Sequence, residues 1–283
     1  MKFDKMPEHS AQQAMPARNL RFFSGDMAQR WYIAGDPVRS AFFSALSATF
    51  PLGERFFIDS VRPWQTGLNS KLAGEVNAFI VQEALHTREH LVCNELIAAT
   101  GYDASGMEER TRAVLAPYRE APTIRQLGLT IALEHFTALF ARAVLTRPEL
   151  LHGSPPEVQA LWRWHAMEEI EHKSVAFDVF MAVTADWSRL HRHFFRMRAL
   201  VEASWVLMSV VARNMTDLFG QDDLPQMATW ERAIGYFFGW RGVLTRMMGG
   251  YLSWFRPGFH PWQHDDLVLA QAVARDLQPG GIR

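Results

Sequence analysis

The chain has 283 residues, 48% of them hydrophobic and 12% aromatic, enough for one large domain with a sizeable buried core. Its net charge of −1 gives no basic surplus for neutralising phosphates, which argues against nucleic acid as the main partner. A single cysteine, Cys93, rules out an intrachain disulfide and argues against a thiolate metal site, so a reducing, cytoplasmic compartment is the default expectation.

The first residues, about 1–25, are polar and lack a continuous apolar stretch, so they are expected to form a flexible lead-in, not a signal peptide. Asp36-Pro37 then reads as an N-cap followed by proline at the first helical position. The helix that follows meets Pro51 and Gly53, which should kink it or break it into two pieces, the second stopping near Pro63. A second helix is expected from about Leu72 to Thr100, ending at Gly101. After a polar loop, DASGMEERTRA, with room for a short helix, a third should run from Thr123 to about Thr146. Pro155 and Pro156 open a fourth, expected to continue to about Thr184, and Asp186 is the expected cap of a long fifth. The longest apolar run, residues 199–212, is shorter than the roughly 20 residues a bilayer span needs. It reads as a buried or interfacial helix, and no transmembrane span is expected. The pattern is all-α: one domain, with a four-helix bundle over about 36–184 and a helical C-terminal region over about 186–283 packed on it.

The second helix carries Glu83-Ala-Leu-His86 and the fourth carries Glu169-Ile-Glu-His172. Positions i and i+3 lie about 60° apart, on one side of a helix. Glu54 sits in the apolar run GERFF of the first helix and Glu134 in IALEHFTALF of the third. One glutamate from each of two helices, with Glu-x-x-His from each of the other two, is the layout of a dinuclear carboxylate site in a ferritin-like four-helix bundle. Two Fe²⁺ ions, two Mn²⁺ ions or a mixed pair carry four positive charges, which four ionised glutamates neutralise. Without metal, four buried carboxylates would cost several kcal/mol each. His165 precedes Glu169 by four residues and His172 by seven, so it reaches the same site as a third nitrogen ligand. His90, four residues after His86, is either a further ligand or a hydrogen-bonding partner of one. Glu89 and Glu171 are offset by about 100° and belong outside the ligand set, as does His135 beside Glu134. Phe79, Ala138 and Ala176, one turn from the ligands, read as core, although the small ones could leave room for a substrate.

The runs PLGERFFIDSVR, FIVQEALHTREH, LEHFTALFA, LWRWHAMEEIEHKSVAFDV and RPGFHPW together resemble the bacterial proteins described as predicted metal-dependent hydrolases. The likeness covers nearly the whole chain after about residue 20. The ligand layout is also similar to that of ferritin-like di-iron N-oxygenases acting on arylamines, which have a histidine four residues before the last Glu-x-x-His, as His165 is here. That second resemblance implies Glu54, Glu83, His86, Glu134, His165, Glu169 and His172 as ligands.

Two enzymatic readings follow. In the first, a di-iron site activates O₂ to oxidise a small, mostly apolar organic substrate, with electrons from a reductase or ferredoxin. In the second, the metals activate a water for hydrolysis, as the family description suggests. HTREH also matches the His-x-x-Glu-His pattern of a mononuclear zinc protease, with His86 and His90 as ligands and Glu89 as base, but that leaves Glu134, Glu169 and His172 without a role. Iron storage fits poorly, because three or four histidines exceed what storage centres use. The basic and aromatic run RLHRHFFRMR is expected to be a solvated face, with an acidic electron donor or a membrane surface as its alternative partners. His260 in FRPGFHPW could approach the substrate side, and the apolar helices are compatible with a homodimer.

Overall fold

The computed structural model describes residues 15–25 and 29–277, and these are helical with no strand among them. Helix α1 (Pro37–Val61) starts where expected: the Asp36 carboxylate accepts from the backbone N–H groups of Val38 and Arg39 at 2.8 and 3.1 Å. The expected break at Pro51 does not occur, and α1 runs through it. Proline removes the hydrogen bond to the carbonyl four residues back, here that of Ser47. The Asn94 side-chain amide donates to that carbonyl instead, at 3.1 Å, so the helix continues without an unpaired group. A short 3₁₀ segment (Arg62–Gly67) leads into α2 (Ser70–Ala99). The Asn69 side chain caps α2, and Gly101, at φ +95°, turns the chain away at its end.

The polar loop expected after α2 contains a full helix, α3 (Ser105–Arg119), followed by α4 (Thr123–Thr146) as predicted. The expected fourth helix is two helices, α5 (Pro156–His172) and α6 (Val175–Val183). The break at Lys173-Ser174 is held by side chains. Lys173 Nζ donates to the His264 carbonyl at 2.6 Å, while the Ser174 hydroxyl donates to Asp178 and accepts from the Trp262 indole. Helix α7 (Arg189–Gln221) is capped by Ser188, not Asp186: its hydroxyl accepts from His191 N–H. Helices α8 (Gln226–Phe238), α9 (Val243–Ser253) and α10 (Leu267–Asp276) complete the described chain.

Helices α1 and α2 pair, α4 and α5 pair, and contacts of α1 with α4 and of α2 with α5 close the four into a bundle. One apolar cluster takes the early part of α1 with the late parts of α2 and α4, and includes Phe43, Ile97, Val144 and Leu161. A second takes the late part of α1 with the early parts of α2 and α4, and includes Phe56, Phe79 and Leu127, with Phe180 of α6. The level between the two cores is polar. Helix α4 is long and apolar enough to cross a membrane, but its apolar stretch is mostly buried in the fold and carries Glu134.

The lead-in expected to be flexible lies outside the described residues up to residue 14. From Met15 to Gly25 the described chain lies on the bundle. Met15 packs on the second core, Leu20, Phe22 and Phe23 pack on the first, and the ring of Phe22 lies 5.2 Å from that of Trp164.

Candidate metal centre

The expected ligands lie at the polar level between the cores, in the interior of α1, α2 and α4 and in the second half of α5, which ends at His172. Helix α1 brings Glu54, α2 brings Glu83, His86 and His90, α4 brings Glu134, and α5 brings His165, Glu169 and His172. None of these residues is more than 3% exposed. Their ligand atoms form four overlapping groups, each with all atoms within 4.8 Å of one another: Glu54/His90/His165, His86/His165/Glu169, Glu54/Glu83/His86 and Glu83/Glu169/His172. Glu134 closes the last of these, with one oxygen 3.6 Å from His172 Nε2. The structure therefore brings together all seven expected ligands and His90.

Many of these inward atoms have no hydrogen-bond partner. They are both oxygens of Glu83 and of Glu134, one oxygen each of Glu54 and Glu169, His86 Nδ1 and His172 Nε2. His172 Nε2 lies 3.1 Å from Glu83 Oε1, yet the two do not meet in hydrogen-bonding geometry. An unsatisfied buried polar atom costs about 1–3 kcal/mol, and more when charged. So many unpaired acceptors facing one point is what a donor set for cations requires. Oxygen and imidazole donors without thiolate suit divalent cations such as iron, manganese or zinc.

The outward atoms, by contrast, are paired, and they set which nitrogen of each ring faces inward. His86 Nε2 donates to Glu168 at 3.1 Å, leaving Nδ1 with its lone pair toward the centre. His172 Nδ1 donates to the Gln82 side-chain carbonyl at 3.1 Å, leaving Nε2 inward, while the Gln82 amide nitrogen donates to Glu171 at 3.1 Å. Arg18 then spans both acids, 2.7 Å from each oxygen of Glu171 and 3.2 Å from Glu168. The Ser47 hydroxyl gives its one proton to Asn94 at 2.6 Å, so its 2.9 Å contact with His90 is a bond from His90 Nδ1–H. His90 Nε2 is left as an acceptor 2.7 Å from His165 Nδ1, which orients His165 with Nε2 toward Glu169 at 2.9 Å. Such carboxylate–histidine and amide–histidine pairs are the usual support of metal-binding imidazoles.

The electrostatics of the cluster describe a site short of cations. Burial, then the charges of Glu83 and Glu169, push the Glu54 carboxyl well above the usual carboxylate range, and burial with Glu169 does the same to Glu134. Burial raises Glu83 to about 7, against the pull of its contact with His172. Burial also acts to raise Glu169, but the charge of His172 and contacts with His165 and His172 outweigh it and hold Glu169 well below that range. His172 is raised despite burial, chiefly by Glu169. Burial, then the charge of His165, lowers His86 and His90.

Glu89 and Glu171 are buried, not solvent-facing, and both are paired with arginines. Glu89 accepts from Arg88 at 2.6 Å, from Arg21 at 3.2 Å and from Phe22 N–H at 3.4 Å. So tied, Glu89 is not free to act as a general base, and none of the four groups contains both His86 and His90. Both facts count against the zinc-protease pattern. His135 points away, packed against Trp254 and Phe259, and burial lowers it to about 3. Arg196 of the basic run is buried over the rings of Trp254 and Phe259. His260 accepts from Trp262 N–H at Nδ1 and so donates from Nε2 to the Asp178 carboxylate at 3.0 Å, beside a separate cavity near Glu171.

The sequence pattern does not single out Glu168, Gln82 or Arg18. Glu168 carries a signal, an acid one residue before Glu169 and four before His172, whereas nothing marks Arg18. A largely apolar cavity of about 290 Å³ lies between α1, α4 and α7 and reaches the cluster at Glu54. Ala138, Ala176 and Phe79 do not line it; Phe79 and Ala176 belong to the second core, and Ala138 is half-buried.

No curated protein and no solved structure matches the chain. The family model described as "Predicted metal-dependent hydrolase" matches residues 16–265, which include every residue of the cluster. The chain belongs to the predicted metal-dependent hydrolase family.

Proposed function

We propose that this protein is a dinuclear metal enzyme in which Glu54, Glu83, His86, Glu134, His165, Glu169 and His172 hold two divalent cations, and that its reaction is hydrolysis of an apolar substrate. The observation that supports the metal site best is the convergence of unpaired buried carboxylate and imidazole atoms from four helices. Hydrolysis is the chemistry that the family description suggests. Bound there, two cations would supply an activated water and polarise the bond to be cut. The chain's own residues do the rest. Gln82 and Glu168 keep the imidazoles of His172 and His86 in the ligating tautomer. His90 supports His165. Phe50, packed 4.7–4.8 Å from the rings of His90 and His165, walls the histidines off from the cavity.

A second reading, oxidation by O₂ with electrons from a reductase or ferredoxin, draws on the four-carboxylate, three-histidine layout and on the apolar cavity at Glu54. The two separate in one experiment. Protein loaded with Mn²⁺ or Zn²⁺ is assayed against p-nitrophenyl esters of increasing acyl length, and protein loaded anaerobically with Fe²⁺ is exposed to air in an oxygen electrode. Hydrolysis predicts metal-dependent ester turnover that falls at least 100-fold in Glu134→Ala, with no stoichiometric O₂ uptake. Uptake of O₂ by the Fe²⁺ form, without ester turnover under any metal, would reverse the choice.

A further inference from the structure

The cavity at Glu54 has a shape that the family description does not address. Along α1 it is lined by Phe42, Leu46, Thr49, Phe50, Gly53, Glu54 and Phe57, residues spaced by three or four with two adjacent pairs, so they form a single stripe. From Phe42 to Phe57 the stripe is about 22 Å long at 1.5 Å per residue. A volume of about 290 Å³ spread over that length is a narrow slot and not a bowl.

The chemistry of the wall is as restrictive as its shape. Glu54 is the one charged group among the lining residues, and it sits three residues from one end of the stripe. The wall's threonines offer little to a polar ligand, because the hydroxyls of Thr49, Thr111 and Thr137 each donate to a carbonyl of their own helix. A polar molecule entering the slot would lose its water without replacement. The rim carries Met208 and Phe238, which are 37% and 59% exposed, so an apolar molecule meets apolar surface as it enters.

We propose that this slot binds one linear hydrocarbon chain of roughly ten methylene-sized units, taking about 30 Å³ for each, with one end presented to Glu54. That the inner end is the reacting end rests on the dinuclear-metal reading. That the chain binds does not.

The test titrates the full-length protein, metal-free and Mn²⁺-loaded, with 1-alkanols from hexanol to dodecanol, by calorimetry, with the total tryptophan fluorescence, to which Trp230 on the slot wall contributes, as a second readout. 1-Adamantanol, which packs the ten carbons of decanol into a cage, is the shape control. The slot predicts Kd falling about fourfold per added carbon, equivalent to about 0.8 kcal/mol, up to about decanol and levelling beyond. It predicts 1-adamantanol binding at least tenfold more weakly than decanol. A Cβ at Gly53 would meet open space, so Gly53→Leu fills the slot beside Glu54 and should move the levelling point to a chain several carbons shorter. Val210→Trp, on the facing helix and away from the cluster, should do the same without touching metal content. Equal binding of decanol and 1-adamantanol, or no dependence on chain length, overturns the proposal. So does a failure of all alkanols to bind while sedimentation shows a dimer that Val210→Trp disrupts, since a second copy would then occupy the slot. Two bound metals without alkanol binding defeat the slot alone, and alkanol binding without metal uptake defeats the dinuclear reading alone.

Discussion

Gln82 and Glu168 decide which nitrogen of His172 and His86 faces the cluster, and each does so through one hydrogen bond of 3.1 Å. Removing such a partner frees the ring to turn and makes it a weaker ligand, typically by 10–100-fold in metal affinity. Glu168→Ala and Gln82→Leu should each weaken Mn²⁺ binding by about that factor in a competition titration with a chelating dye. Unchanged affinity in both would mean that the rings do not ligate through those atoms. A pH dependence follows from the same cluster. Glu83 holds its proton up to about pH 7, and Glu54 and Glu134 are shifted in the same direction. In the metal-free protein the folded state therefore binds more protons at these groups than the unfolded state. Their contribution to stability is full below the ordinary carboxylate range and is lost as pH rises through their folded values, about 7 for Glu83. His86 and His90, lowered by burial, act oppositely: their contribution is present above about 6.5 and lost as pH falls. A cation must displace the carboxyl protons, so the rise in Tm on adding Mn²⁺ should be small at pH 5.5 and grow through pH 7 to 8. A rise independent of pH would contradict it. The cluster was legible because Glu and His at i and i+3 share one face, and an ionisable pair on an apolar face must be compensated by opposite charge once buried. Arg18 was not, because a segment without periodicity gives no sign of what it touches.

Helix α1 shows where local rules are overruled by a partner helix. Pro51 should stop it, yet Asn94 of α2 takes over the carbonyl that proline leaves free, and the same asparagine accepts from the Ser47 hydroxyl that receives His90 Nδ1–H. The proline is thus built into the support of the site. Asn94→Ala should lower stability by about 1–3 kcal/mol, the cost of an unpaired buried group, read as a shift in the urea midpoint. Adding Pro51→Ala should restore much of the loss, because alanine supplies the N–H that the Ser47 carbonyl lacks. If the double variant is no more stable than Asn94→Ala alone, the account of the uninterrupted helix is wrong. The start of α1 and the end of α2 could be read from a cap, Asp36-Pro37, and a glycine, Gly101, which are local. The Lys173-Ser174 break between α5 and α6 could not, because it is set by Trp262, His264 and Asp266, about 90 residues along the chain.

At the scale of the whole molecule, the two apolar cores lie on either side of a level of unpaired acids, and cations at that level would tie α1, α2, α4 and α5 together. Metal removal by a chelator should therefore lower Tm, and adding back Mn²⁺ should restore it. An unchanged Tm would mean that the bundle needs no cation. Residues 15–25 close the outer side of this level through Arg18, which carries the charge that offsets Glu168 and Glu171. Burial raises Glu168 to about 7 even with Arg18 beside it. The all-helical bundle was legible from helical periodicity that runs almost throughout the chain, while the slot between α1, α4 and α7 depends on how separate helices meet and leaves no mark on any one of them. The most direct test of the central claim is a crystal structure of protein loaded with Fe²⁺ or Mn²⁺, with anomalous data at both metal edges and metal content measured on the same sample. The account predicts two ions about 3.5–4 Å apart, bound by Glu54, Glu83, His86, Glu134, His165, Glu169 and His172. A single ion held by α2 alone, or a fully soaked crystal with Glu83 and Glu134 still bare, would contradict it.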